Sequence, residues 1–244
     1  MVDPEILRFL TLDDADRAWR TFRKLARHDI GAWALTGGFA IEIHRLRLER
    51  DPSPRTLNDL DFIADAFDCI PASLNDDFLF RHVHPLDPPG KTMAQFADPE
   101  SAVRVDIFRA YGAAMSRTSR MKIPGGTIQL ISLEDLIARS ARLALDVAAG
   151  VPVPSKHASD FLRLVELVDP AAVEAAWRDH RKPAHPTTFA EANRLLRDLI
   201  PRRRNLLVTV EYSKDRERVC PRCTPTVAFR LADPKLVRSL LGYC

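Results

Sequence analysis

The chain has 244 residues, 46% of them apolar and 28% charged, with a formal net charge of +3. That length suits one large domain or two small ones, and the composition is that of an ordinary globular protein; a net charge this small gives no argument of its own for nucleic acid. No apolar run is long enough to span a bilayer, the N-terminus lacks the basic start and apolar stretch of a signal peptide, and four cysteines do not make a disulfide framework, so a cytoplasmic protein is expected.

Thr11-Leu12-Asp13-Asp14 has the form of a helix start, and Ala15, Trp19, Phe22 and Ala26 recur at helical spacing. The spacing predicts an amphipathic helix over 13–28 that covers a sheet. A short strand is predicted at Ala32–Leu35, then a Thr36-Gly37-Gly38 turn, then a helix over Phe39–Arg50 with Phe39, Ala40, Ile43 and Leu46 inward and Arg45 paired with Glu49. Glycines at a helix start let a ligand approach free backbone N–H groups, which suit an anion, and Thr36 can cap the helix or donate to a phosphate oxygen.

Pro52-Ser53-Pro54 breaks the chain before Asn58-Asp59-Leu60-Asp61-Phe62-Ile63, which reads as a strand. Strand side chains alternate, so Asp59 and Asp61 share one face while Leu60 and Phe62 enter a core. Two carboxylates side by side raise each other's pKa unless a cation lies between them, and a hard ion such as magnesium suits them; an isolated D-x-D can equally be a solvated polar face. Phe78–Phe80 and Lys91–Ala97 read as strands across a proline-rich connection, with His82 and His84 sharing a face and Lys91 a candidate phosphate contact.

Ser101–Ala110 alternates cleanly. Val103, Val105 and Ile107 form one face, and Arg104, Asp106 and Phe108 the other. An acid inside such a strand needs a partner or a metal. Three aspartates holding two metal ions can clamp both oxygens of an in-line phosphoryl displacement. A polar stretch then leads to Pro124-Gly125-Gly126, a strand at Thr127–Ile131, a Ser132–Asp135 helix start and a long helix through Leu145. Gly150–Pro154 reads as a hinge, a helix begins near Ser155, and two more helices are expected in 170–200 with Trp177 and Phe189 packed. The arginines between Arg45 and Arg55 and the Arg202-Arg203-Arg204 run read as solvated faces.

Gly37-Gly38, then Asp59-Leu60-Asp61, then Asp106 on a later strand resembles the polymerase-beta-type nucleotidyltransferase superfamily over roughly residues 30–165. The Gly-Gly form, with Arg55 shortly before the acids, looks most like the bacterial branch of abortive-infection (AbiEii-like) toxins and small antibiotic nucleotidyltransferases. The phrase ISLEDLIARSARLAL is similar to the helix after the third acid in that branch, with Arg139 where a lysine is usual. Leu57 stands where the branch often has threonine. The resemblance implies an α+β fold, a small mixed sheet flanked by helices. It implies a magnesium-dependent transfer of a nucleoside monophosphate from a nucleoside triphosphate to an acceptor, with RNA, tRNA and small molecules all open.

On that reading Asp59, Asp61 and Asp106 hold two magnesium ions. Thr36, Gly37 and Gly38 cradle phosphates, and Arg55, Lys156 or Arg104 neutralise their charge. Lys156 and Asp160 would shape the nucleotide pocket, or form a surface ion pair. A toxin of a toxin–antitoxin pair, with an antitoxin partner, is the narrower implication; a non-catalytic nucleotide- or RNA-binding module is the alternative.

The expected organisation is a catalytic domain over 1–130, a helical subdomain over 131–204 and a β-rich tail over 205–244. In that tail Cys220-Pro-Arg-Cys223 has the shape of half a zinc site, for which Cys244, His180 or His185 would have to complete the ligand set. The last residues, Ala232–Tyr243, read as a short helix.

Overall fold

The computed structural model describes residues 8–86, 90–151, 156–203 and 206–207, with the side chains of 81–92 outside that description. Cys220, Cys223 and Cys244, the tail strand and the closing helix therefore lie outside the described residues, as do the side chains of His82, His84 and Lys91. Among the described residues no helix is long and apolar enough to cross a membrane. The described residues divide into two compact units, those up to Ala110 with Thr118–Leu130, and Tyr111–Arg117 with those from Ile131 to Leu207.

The first unit is a seven-stranded mixed sheet flanked by helices. Its strands are Ala34–Thr36 (β1), Asp59–Ala64 (β2), Leu79–Leu86 (β3), Gly90–Ala97 (β4), Arg104–Arg109 (β5), Ser119–Ile123 (β6) and Gly126–Leu130 (β7), in the order β3-β4-β5-β2-β1-β7-β6. β2 runs parallel to β5 and antiparallel to β1, which in turn runs parallel to β7. Strand β6 was not foreseen. Its sequence, Ser-Arg-Met-Lys-Ile, is half basic and polar because it is an edge strand whose alternate positions face outward. Gly125, at φ +85°, turns it into β7.

The apolar alternation does what the sequence implies. Leu35, Leu60, Phe62, Val105 and Ile107 are fully buried, and Trp33 meets Phe62 edge to face at 5.6 Å. Each such side chain contributes about 1.5–3 kcal/mol by leaving water. Leu57 joins this core, and its backbone N–H donates to Asp14.

Helix Leu12–Leu25 (α1) is capped by Thr11, whose hydroxyl accepts from the Asp14 N–H. It stops before 28 and fastens the loops that lead into the acid-bearing strands. Asp14 holds the Leu57 N–H ahead of β2. Arg17 donates to the Ser101 carbonyl ahead of β5, and Lys24 pairs with buried Asp98 at 2.8 Å. Helix Gly37–Arg47 (α2) begins at the first glycine, two residues earlier than expected, and ends before Arg50. Glu49 lies beyond it at φ +55°, and Arg45 donates to the Asp51 carbonyl. A single turn, Leu74–Asp77 (α3), precedes β3.

The second unit is helical. Leu133–Ala148 (α4) is capped by Ser132, and Lys156–Leu164 (α5), Glu174–His180 (α6) and Phe189–Arg202 (α7) follow. Trp177 and Phe189 are both fully buried and meet at 6.0 Å. The 3.6-residue apolar period of α4 and α7 accounts for their burial, with Leu136, Ile137, Ala141, Leu196 and Ile200 inward.

Candidate functional site

The register of four strands builds the site. In the parallel pair Asp61 stands opposite Asp106 and Asp59 opposite Arg104; in the antiparallel pairs Thr36 stands opposite Asp61, and Gln95 opposite Asp106. Residues directly opposite in a sheet share a face, so Thr36, Asp61, Asp106 and Gln95 form one row, with Asp59 and Arg104 beside it. One oxygen each from Asp59, Asp61 and Asp106 lies within 4.8 Å of the others. The oxygens suit a hard divalent cation, which takes carboxylate ligands and keeps room for substrate oxygens.

Two other side chains engage the carboxylates. Gln95 Nε2 donates to Asp106 Oδ1 at 2.8 Å. Arg104 Nε donates to both Asp106 oxygens at 2.9 and 3.0 Å, and Arg104 Nη2 donates to Asp59. Burial lifts the Asp106 carboxyl above its ordinary value, with the Asp59 charge adding to the rise and the Arg104 charge and Gln95 opposing it. Burial works against the Arg104 charge, but Asp106 and Asp59 overcome it and hold the guanidinium above its usual value.

Gly37 has φ +69°, and a Cβ there would lie 2.8 Å from Asp61 Cβ and closer still to its carboxylate. The first glycine thus lets the strand-to-helix turn press against Asp61. Gly38 is different: a Cβ would meet the Arg55 guanidinium at an ordinary 3.4 Å. Arg55 therefore lies across the start of α2. It is held there by fully buried Glu42, whose Oε1 accepts from Arg55 at 2.7–2.8 Å and whose Oε2 accepts from the Ser53 N–H. Thr36 makes no cap. Its backbone is extended, as an N-cap's usually is, but its side chain bonds none of the helix N–H groups, and among the described residues the buried Oγ1 has no hydrogen-bond partner.

Sequence reasoning missed Gln95 and Glu42. Both are polar residues inside otherwise apolar elements, the same signal that drew attention to Asp106. Of the remaining candidates, Asp160 is buried on α5 with Arg163 Nη1 at 3.8 Å, and Lys156 opens that helix half-buried. Both belong to the helical unit.

No protein family and no curated protein matches the sequence. Among solved structures the chain is similar to an antigenic nucleotidyltransferase-like protein from Paracoccidioides brasiliensis, at 18% identity and a TM-score of 0.38, covering 79% of this chain and 91% of that one.

Proposed function

We propose that this chain is a divalent-metal-dependent nucleotidyltransferase that moves a nucleoside monophosphate from a nucleoside triphosphate to an acceptor hydroxyl or phosphate. The observation that carries the reading is the meeting of Asp59, Asp61 and Asp106, from two strands far apart in sequence, within 4.8 Å. These carboxylates would hold magnesium, which supplies charge neutralisation at the attacking and leaving oxygens. Asp106, whose carboxyl burial lifts, is the member suited to take a proton from the acceptor. The N-terminus of α2 offers N–H groups and a positive dipole to phosphate oxygens, Thr36 Oγ1 offers a donor with no partner among the described residues, and Arg55 offers a cation fixed beside them. A toxin role with an antitoxin partner in the cytoplasm belongs to the same reading and predicts growth arrest on expression that needs Asp59.

Incubation with magnesium and labelled triphosphates tests the activity. Pyrophosphate release should be lost in a folded Asp59→Ala protein; release that persists removes these roles. A second reading, a non-catalytic nucleotide- or RNA-binding module, is favoured by one observation: Arg104 already neutralises Asp59 and Asp106. It predicts RNA binding that weakens steeply with salt, without turnover.

A further inference from the structure

Arg104 lies two residues before Asp106 on the same strand and opposite Asp59 on the next, so all three side chains leave one face of the sheet. Its side chain is only 15% exposed. Arginine has donors in a planar fork and no lone pair, so it can only consume carboxylate lone pairs that a metal would use. Gln95 also takes a lone pair of Asp106 Oδ1, but it is neutral and comes from the neighbouring strand β4, so it can remain when a cation arrives. Arg104 is charged. A guanidinium and a divalent ion a few ångströms apart in a half-buried site repel strongly, and both cannot rest on the same two carboxylates.

We propose that Arg104 is the resident counter-ion of the triad, filling the place between Asp59 and Asp106 that a divalent cation needs, so that metal loading is an exchange of one cation for the other. The proposal rests on the nucleotidyltransferase reading only in taking the triad as a metal site. The exchange does two things. Without metal it keeps acidic side chains compatible in a poorly hydrated site. With metal it frees a guanidinium beside the reacting phosphates, where it becomes a forked phosphate ligand. Arg104 thus serves first the carboxylates and then the triphosphate.

The test is manganese binding without nucleotide, followed by calorimetry or by the spin signal of free Mn2+, on the full chain and on its Arg104→Gln and Arg104→Lys variants. Arg104→Gln should bind Mn2+ about tenfold more tightly than the parent. Its metal-free form should melt lower, with saturating Mn2+ narrowing the difference. Arg104→Lys keeps the charge but loses the fork, and should fall between the two. Where Arg104→Gln does not fold, the lysine variant decides the matter alone. Affinity equal to or weaker than the parent's in the folded variants overturns the exchange while leaving the metal site intact. No Mn2+ binding by parent or variants removes the metal site itself, and with it the enzymatic reading.

Discussion

Gln95 and Asp106 face each other across β4 and β5, and the amide of the first donates to Oδ1 of the second at 2.8 Å. A carboxylate on a strand still rotates about its terminal bond; a donor locked in the neighbouring strand fixes that rotation and holds Oδ2 where Arg104 Nε reaches it. Gln95→Leu keeps the side-chain volume and the strand but removes the donor. Hydrogen bonds to charged groups are worth about 1.5–3 kcal/mol, so Mn2+ affinity should fall roughly tenfold or more while the circular dichroism spectrum stays as it was. Unchanged metal binding would mean that Arg104 and the sheet alone orient Asp106.

The two glycines predict opposite outcomes. Gly37→Ala places a methyl against Asp61 at φ +69°, where only glycine is unstrained. It should cost about 1–3 kcal/mol in denaturant unfolding and abolish pyrophosphate release. Gly38→Ala meets only the guanidinium of Arg55, at an ordinary contact distance of 3.4 Å. Its stability should stay within about 1 kcal/mol of the parent, since alanine is also the better helix former. Equal destabilisation by both substitutions would contradict the packing of Gly37 on Asp61.

Thr36 separates stability from ligand binding. Its hydroxyl is buried without a partner among the described residues, so Thr36→Val, which keeps the shape, should leave stability unchanged or raise it by about 1 kcal/mol. The same change should weaken binding of a non-hydrolysable triphosphate several-fold if Oγ1 is a phosphate donor. A Thr36→Val protein that loses stability and binds nucleotide as before would show that the hydroxyl serves the fold.

The residues that alternate along strands were legible before any coordinates. The Asp59-Leu60-Asp61 and Arg104–Phe108 segments place their acids on the opposite face of the sheet from Leu60, Phe62, Val105 and Ile107, and the register then joins the two strands. What periodicity leaves open is pairing. Nothing local to Arg104 says that it will turn onto Asp59, which is 45 residues away. Nothing local to Glu42 says that it will hold Arg55 instead of facing solvent. Of the two roles open to Thr36, the cap is not made, although its backbone is extended as in a capped helix; residue type and backbone class together do not fix where a hydroxyl bonds. Strand β6 escaped notice because an edge strand has only half an apolar pattern.

The helical unit should lose stability in acid in two stages. Buried His180 has its pKa pushed below 6.5 by burial, which outweighs the help of the Asp135 charge. The unfolded chain therefore takes that proton first, and stability declines as pH falls below about 6.5. His185 shifts in the same direction, chiefly by burial. Asp135 behaves as the second stage. Burial alone would raise its pKa, but hydrogen bonds from Arg117, His180 and Ser132 outweigh that and hold it at about 2, against an ordinary 3.8. A depressed carboxyl stabilises above the unfolded value and loses that contribution as pH falls from 3.8 towards 2, here about 2 kcal/mol. Urea unfolding across pH should show both slopes. The double variant His180→Gln, His185→Gln should flatten the first, and Asp135→Asn should flatten part of the second while costing about 1–3 kcal/mol at neutral pH, because Arg117 loses its charged hydrogen bonds to Asp135 and keeps only Asp179. A profile unchanged below pH 4 in Asp135→Asn would mean that the Arg117–Asp135 contact, at 2.7 Å, contributes nothing to folding.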